Sequence, residues 1–508
     1  MPTATAGMPA EKASAILNEF SRRRFADSIA VPTGDEKVRR ELRRLGEPIT
    51  LFAEGPGDRR DRLREIYTQR AEAGGEGEDE DLEMAEGATS GEDEPEEEFY
   101  TEGSQELLKA RQAITRYSLP RAAQRIQRQE YESTIPLSAH VAHRSAIKDK
   151  LSGFELYGSQ VAGDRPISIT RFSPSGELLA AGNWGGGIRL ISIPTLEAKY
   201  DLKSHAGRVG GVSWFPGATL PESGVTTSNV NFASGGSEGN VHLWNLEEDS
   251  LKESKPMAIF SGHTERVCRV EFHSSGKYLA SAGADTTWRL WDVTTGTELV
   301  AQEGHSRPVY AVAFNIDGSL ISSGGEDSIG RIWDIRSGRM VMLLDSHSAP
   351  INAVDWGTDG YRVLTGSSDC SVKCWDLRAV RESTSIGAHT GGAVTDLRWY
   401  KGADADVIGV SRDVKMEDAD ESNDAENDDE ETYSDDRPLR KSSTFFVSSG
   451  TDRKVKIFSA DDWVSCTTLE GHAGNVLSVD ASRDGRWIAS GGYDRSVKLW
   501  SRDDGAAI

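Results

Sequence analysis

From residue 167 onward, apolar and polar side chains alternate in short runs bounded by Gly, Asp and Ser, as in Val267-Cys-Arg-Val-Glu-Phe272 and Val372-Lys-Cys-Trp375. Such runs read as short strands, four to a unit. Ahead of them the period is helical. Val38, Leu42 and Leu45 fall at spacings of four and three, behind the capping-box pattern Thr33-Gly-Asp-Glu36. Gly46 ends that helix and Pro48 prevents a restart. A short apolar run follows, Glu47-Pro-Ile-Thr-Leu-Phe52, and Gly55-Pro56-Gly57 turns into a second helix from Asp58 to about Gln69. Leu63, Ile66 and Tyr67 share one face there, with Arg59, Arg60, Arg62 and Arg64 expected in solvent. Further on, Leu107, Ala110, Ile114 and Tyr117 again keep helical spacing. Ser118 is expected to cap one more helix, with Pro120 tolerated in its first turn.

The strand pattern repeats. Histidines stand at 205, 263, 305, 347, 389 and 472, with three successive gaps of 42. Trp244, Trp291, Trp333, Trp375, Phe458 and Trp500 run in step. Six residues before each aromatic is a carboxylate (Glu238, Asp285, Asp327, Asp369, Asp452, Asp494), and ten before is a hydroxyl (Ser234, Ser281, Ser323, Thr365, Ser448, Ser490). The last histidine gap is 83, about two periods, because an acidic insertion lies inside it. Gly262-His263 with Trp291-Asp292, Gly304-His305 with Trp333-Asp334, and His347 with Trp375-Asp376 resemble the signature of the WD40 family. That resemblance implies twisted four-stranded blades packed radially around a channel. A seventh, degenerate unit runs from Ile167 to Leu202, with Gly163, Gly185 and Ile191-Ser192 where His, Asp and Trp-Asp are expected. The predicted fold is therefore an all-β seven-bladed propeller at 153–508, preceded by short helical segments. The last unit lacks room for a fourth strand after Trp500. Phe154 to Val161 has strand character and is predicted to supply it, leaving no open edge.

Serine, histidine and aspartate recurring together invite a hydrolase reading. A triad needs one accessible nucleophile and an oxyanion hole, whereas Ser281, Asp285, His263 and Trp291 are one of several near-identical sets. The WD40 resemblance implies a buried structural relay from His to Asp and on to Ser or Thr and the indole. No phosphate loop, HExxH or nucleophile elbow is present. The chain reads as no enzyme, with no cofactor and no metal site. Cys370 and Cys374 have no second pair and no suitably spaced histidines, and read as buried thiols.

Charge changes the picture at two places. The 508 residues carry a net −24, yet residues 71–99 hold 14 acidic and no basic side chains, and 413–436 hold 13 acidic and one basic. These two stretches account for −26, so the remainder sums to about +2 and an RNA partner is not excluded. The linker at 71–99 and the insertion at 403–441 read as disordered, as does a leader at 1–26 in part. No apolar run approaches the roughly 18 residues that span a bilayer, and Met1 to Ala30 reads as lacking a secretory signal. Four cysteines in a chain this long suggest a reducing compartment, cytosol or nucleus.

Leu45-Gly-Glu-Pro-Ile-Thr-Leu-Phe52, followed by Gly55-Pro56 and Arg59-Arg-Asp-Arg-Leu-Arg64, resembles the splicing-factor motif of the pre-mRNA-processing factor 4 family. Tyr117-Ser-Leu-Pro-Arg-Ala122 and Asp164-Arg-Pro-Ile-Ser168 resemble it too, in the same order along the chain. The resemblance implies a nuclear, non-catalytic scaffold of the U4/U6 particle and the tri-snRNP. Implied partners are pre-mRNA-processing factor 3, a cyclophilin-type prolyl isomerase, other tri-snRNP proteins and U4/U6 snRNA, with no membrane. The motif at 27–70 is expected to bind protein through Pro48, Ile49, Leu51, Phe52, Arg59 and Arg62. The residues before the relay carboxylates, here Glu326, Ser368 and Tyr493, are the usual WD40 contact positions. Arg39, Arg40, Arg43 and Arg44, together with Arg121, Arg125 and Arg128 in the basic segment 100–152, are candidates for RNA phosphates. That segment is expected to reach outward and to order on a partner. The competing reading, a WD40 substrate receptor of a ubiquitin ligase, requires an adaptor-binding box ahead of the propeller. Nothing at 1–150 reads as one.

Overall fold

The computed structural model describes residues 35–48, 55–73, 103–402 and 443–502. Outside them lie the leader, Ile49, Leu51 and Phe52, the acidic linker beyond its first three residues, and the whole of the insertion at 403–441. The stretch up to Glu97 and the chain from Glu98 onward are separate units.

In the first unit, α1 (Asp35–Arg44) and α2 (Pro56–Ala73) pack on each other through Val38, Leu42 and Leu63, with Leu45, Ile66 and Tyr67 partly buried beside them. The end of α1 is a Schellman turn: Glu47 N–H donates to Leu42 O at 2.9 Å and Gly46 N–H to Arg43 O at 3.1 Å, with Gly46 at φ +77°. The start of α2 is earlier than expected, because Gly55 serves as its cap. Its N–H donates to Asp58 Oδ2 at 3.0 Å, and proline takes the first helical position, where no N–H is missed.

Among the described residues of the second unit, 28 strands form seven four-stranded antiparallel sheets, each in simple sequence order except the last. Blades 1 to 7 span 167–203, 209–261, 267–302, 309–344, 351–387, 394–470 and 476–502. Inner strands are buried along their length, as in Tyr278–Gly283, while an outer strand such as Ala198–Lys203 buries only Leu202. The seventh sheet is completed by β1 (Phe154–Val161), which pairs antiparallel with β28 (Ser496–Arg502) in the register Leu156↔Trp500 and Val161↔Ser496. Ring closure by this segment is therefore as predicted. The insertion leaves and returns between the first two strands of blade 6, whose pairing Val394↔Gly450 to Trp399↔Phe446 is intact. Among the described residues no helix is long and apolar enough to cross a membrane.

The first strands of the blades line the axis, where charges meet. Asp396 accepts from Arg171 at 2.9 Å, Arg269 at 3.2 Å and Ser478 at 2.8 Å, joining blades 6, 1, 3 and 7. Arg398 faces Glu271 at 3.4 Å. A charge buried here is tolerable only because it is paired and hydrogen-bonded.

Two expectations about the segment ahead of β1 are corrected. First, α3 (Gln105–Thr134) runs straight through Ser118 and Pro120. Its cap is Ser104, whose Oγ accepts from Leu107 N–H at 3.2 Å, while Ser118 Oγ turns back to Thr115 O. Leu107, Ala110, Ile114 and Ser118 make one buried stripe, and the first three join the core of blades 3 and 4. At about 1.5–3 kcal/mol for each large side chain, that burial offsets the roughly 3 kcal/mol of an internal proline.

Secondly, the segment lies on the disc instead of reaching away from it. Arg125 pairs with Asp317 at 2.8 Å and donates to Asp359 O; Gln129 donates to the same carbonyl at 2.8 Å. Arg111 and Arg125 pass over Gly338 and Gly360, both at positive φ, where a Cβ would force the guanidinium groups to shift and strain the backbone. After Pro136, α4 (Leu137–Ser152) buries Ile147 and Leu151 with Phe154 and Trp500. Arg144 bonds Asp461 at 3.0 Å and Lys148 pairs with Asp462. All these acceptors sit in loops joining first to second, or third to fourth, strands. In an antiparallel blade those loops share one end of the disc, so the helices occupy that end.

Phe154→Ala is expected to cost about 3–5 kcal/mol in denaturant unfolding, because Phe154 is 4% exposed, whereas Val161→Ala, at 63% exposed, should stay within about 0.5 kcal/mol. Equal effects would mean that β1 is not held as described.

Candidate interaction surfaces

Each relay is assembled across a blade boundary. In blade 3, His263 comes from the loop entering the first strand, Ser281 from the second, and Asp285 from the turn to the third, which carries Trp291. His263 Nδ1 lies 2.9 Å from Asp285 Oδ2 and its Nε2 lies 2.7 Å from Ser281 Oγ; Trp291 Nε1–H donates to that oxygen at 2.9 Å. The same geometry recurs around His305, His347 and His472. In blade 6 the chain of bonds ends at Ser448, since Phe458 has no N–H to offer. Blade 1 has no relay: Asn183 Oδ1 accepts from Gly185 N–H at 2.8 Å and Gly187 N–H at 3.0 Å, and so holds the equivalent turn. Ser281 is fully buried, which denies it to any substrate. The four cysteines are free thiols, and burial pushes Cys374 up to about 12.

The relays set the electrostatics. Burial alone would raise Asp327, but hydrogen bonds and charge from His305 and Arg331 outweigh it and hold the carboxyl at about 2. Burial lowers His305, His347 and His389 despite their carboxylate partners, and takes His273 down to about 4.

Glu326, Ser368 and Tyr493 stand in the turns between second and third strands, at the end of the disc opposite the helices. Glu326 accepts from Tyr310 Oη at 3.2 Å and Ser368 from Asn352 Nδ2 at 3.0 Å. Tyr493 is exposed and meets Trp184 edge-on at 5.7 Å, with Arg208 over the indole at 4.7 Å. Trp184 and Arg208 were not among the expected contacts. Trp184 precedes Gly185 as Tyr493 precedes Asp494, so carrying the register into the degenerate unit would have found it.

The arginines divide. Arg39, Arg40, Arg43 and Arg44 are exposed on α1, Arg44 pairing with Glu41 at 3.0 Å. Arg59, expected in solvent, is buried, because it lies one helical turn before Leu63 on the same face. Arg60, Arg62 and Arg64 are half-buried, and Arg62 donates to the carbonyl of exposed Pro48 at 2.8 Å. Arg121, Arg125 and Arg128 do not form one free stripe. Arg125 is engaged by the propeller, Arg121 lies 4.2 Å over Tyr117, and Arg128 pairs with Glu132 at 3.1 Å.

Seven closed blades, four of them with the full His–Asp–Ser/Thr–Trp relay, define a WD40-repeat propeller. Residues 254–292, 296–334, 338–376 and 463–501 match the WD domain, G-beta repeat family, and residues 38–66 match the family described as pre-mRNA processing factor 4 (PRP4) like. The chain thus carries a PRP4-like stretch and WD40 repeats together. It is 38% identical over 255 residues to an uncharacterised WD repeat-containing protein of Schizosaccharomyces pombe, covering 50% of this chain and 52% of that one. Similarity extends to the U4/U6 small nuclear ribonucleoprotein Prp4 of Bos taurus, 35% over 224 residues (44% and 42%), and to PRP4 of Saccharomyces cerevisiae, 32% over 308 residues (58% and 59%). The matched stretch thus spans about half the length of these relatives.

Stability is expected to fall on acidification in two stages. The buried histidines have folded values below the unfolded value of about 6.5, so their contribution is complete above it and is lost as pH falls toward 4. The aspartates are depressed below about 3.9, so theirs is lost from there through about 2. A melting temperature unchanged between pH 7 and pH 4 would contradict the first stage.

Proposed function

We propose that this chain is a non-catalytic scaffold of the U4/U6 small nuclear ribonucleoprotein and, through it, of the tri-snRNP in the nucleus. The observation that carries this reading is the pairing, in one chain, of the PRP4-like motif at 38–66 with the WD40 propeller. Relatives sharing 32–35% identity are named as U4/U6 particle proteins. The scaffold role is supported by hydroxyls that are buried in structural relays.

Three exposed surfaces are proposed to take partners. The relay-carboxylate end of the disc presents Trp184, Tyr493 and Arg208. The outer face of α3 presents Leu108, Leu119 and Ile126, which are 11 and 7 residues apart and so align on one stripe. The exposed arginines of α1 form the third. In this reading pre-mRNA-processing factor 3 is the protein partner of the propeller unit, and the motif at 27–70, with Pro48, Ile49, Leu51 and Phe52, takes a cyclophilin-type prolyl isomerase. Arg121 and Arg128 contact U4/U6 RNA phosphates, since Arg125 is already spent on Asp317.

Affinity purification of the tagged full chain from nuclear extract, followed by sequencing of bound small RNA, should enrich U4 and U6. Recovery of a cullin adaptor instead would overturn the assignment. For the RNA contacts, Arg121→Gln with Arg128→Gln should weaken binding of the full chain to a U4/U6 duplex and reduce the magnitude of its salt slope by about 2. An unchanged slope removes those two arginines from the interface.

A further inference from the structure

In five blades the residue immediately before the first strand is uncharged: Pro166, Pro308, Pro350, Ala393 and Asn475. In the other two, which are neighbours in the ring, it is Arg208 and Arg266. Both side chains are exposed at the relay-carboxylate end of the disc, where the first strands begin and the axis opens. The main chain beneath them is drawn close. A Cβ at Gly210 would overlap Val267 O, and one at Gly211 would lie 2.5 Å from Val270 N. The first strands of blades 2 and 3 therefore meet backbone to backbone only because both positions lack a side chain.

Two like charges are thus brought together with no counter-charge on either, an arrangement that costs free energy. Among the described residues neither guanidinium donates a hydrogen bond or joins an ion pair. Arg208 is held by the face of Trp184, at 4.7 Å. Desolvation first, and the charge of Arg266 next, lower Arg208 from its ordinary value. Arg307, one blade further on, shows the alternative, since it pairs with Glu326 at 3.8 Å.

We propose that Arg208 and Arg266 hold one phosphorylated serine or threonine of an extended partner peptide at the mouth of the axis. A phosphoryl group carries about 1.5–2 negative charges at neutral pH and three acceptor oxygens, which suit two adjacent guanidinium groups as a lone carboxylate does not. Trp184 orients Arg208 by stacking. Exposed Tyr493, edge-on to that indole at 5.7 Å, offers its ring to an apolar neighbour of the phosphorylated residue. A nucleic acid fits this arc less well. Asp164 and Glu265 stand directly beside arginines in the loops entering blades 1 and 3, and Glu326 stands on blade 4, so a run of phosphates would meet carboxylates. The proposal rests on the functional reading in one respect, that this end of the disc meets a partner protein.

Fluorescence anisotropy of the full chain with labelled degenerate peptides, fixed at one central position as phosphoserine, glutamate or serine, and with labelled oligouridylate, tests this. The phosphoserine pool should bind most tightly and the serine pool least. Arg208→Gln and Arg266→Gln should each weaken the phosphoserine pool by about tenfold or more, whereas Arg307→Gln should leave its binding unchanged. Each of the first two substitutions relieves a like-charge contact, so the melting temperature should hold or rise; a fall would mark a structural arginine and count against the site. No preference for phosphoserine over serine and glutamate, binding by the double variant as tight as by the unmodified chain, or tighter arginine-dependent binding of oligouridylate overturns the proposal. Such a result beside continued recovery of U4 and U6 would strike this site and leave the scaffold assignment standing.

Discussion

A propeller blade is apolar on both faces, so each blade is stable only between two others. The ring must close, and here it closes by hydrogen bonds between β1 and β28. The repeat seen in the sequence is offset from the blade by one strand. The match at 463–501 begins near the outer strand of blade 6, Ser465–Glu470, and then provides three strands of blade 7. The missing strand has to come from the other side of the propeller sequence. That requirement also positions the helices. Because Phe154 must enter blade 7, α4 is brought against blades 6 and 7, and α3 runs back to blades 3 and 4. The arm that the sequence pattern sends outward is tied down by the strand that follows it.

Much of the propeller was legible because its signal is periodic. Histidine, carboxylate, hydroxyl and indole recur at fixed offsets, and one local rule applied several times outweighs local noise. Seven blades and the closing strand followed from that register, and the relay partners from the WD40 resemblance that it carries. Where the register weakens, so did the reading. Trp184 sits in the degenerate blade. The four WD40 matches likewise omit the first three strands of blades 1, 2 and 6, where the histidine is missing, the spacing is longer or the insertion intervenes.

The arm was misread for a different reason. Ser118 followed by Pro120 is a sound local signal for a helix start, yet a buried stripe from Leu107 to Ser118 overrides it. Local propensity is a weak prior against tertiary packing. Arg59 shows the same lesson at one residue: its charge suggested solvent, but helical phase placed it beside Leu63. The basic stripe looked uniform in sequence, and only the disc's own carboxylate, Asp317, distinguishes Arg125 from its neighbours.

The pairing of Phe154 with Arg502 joins positions 348 residues apart. During synthesis β1 leaves the ribosome long before its partner exists. Both neighbours of the eventual seam then present unpaired backbone, the kind of surface on which chains associate wrongly. Contacts so distant in sequence also form slowly. A nascent chain of this design spends its most vulnerable interval waiting for its own last strand, and the demand for chaperones is set by that interval.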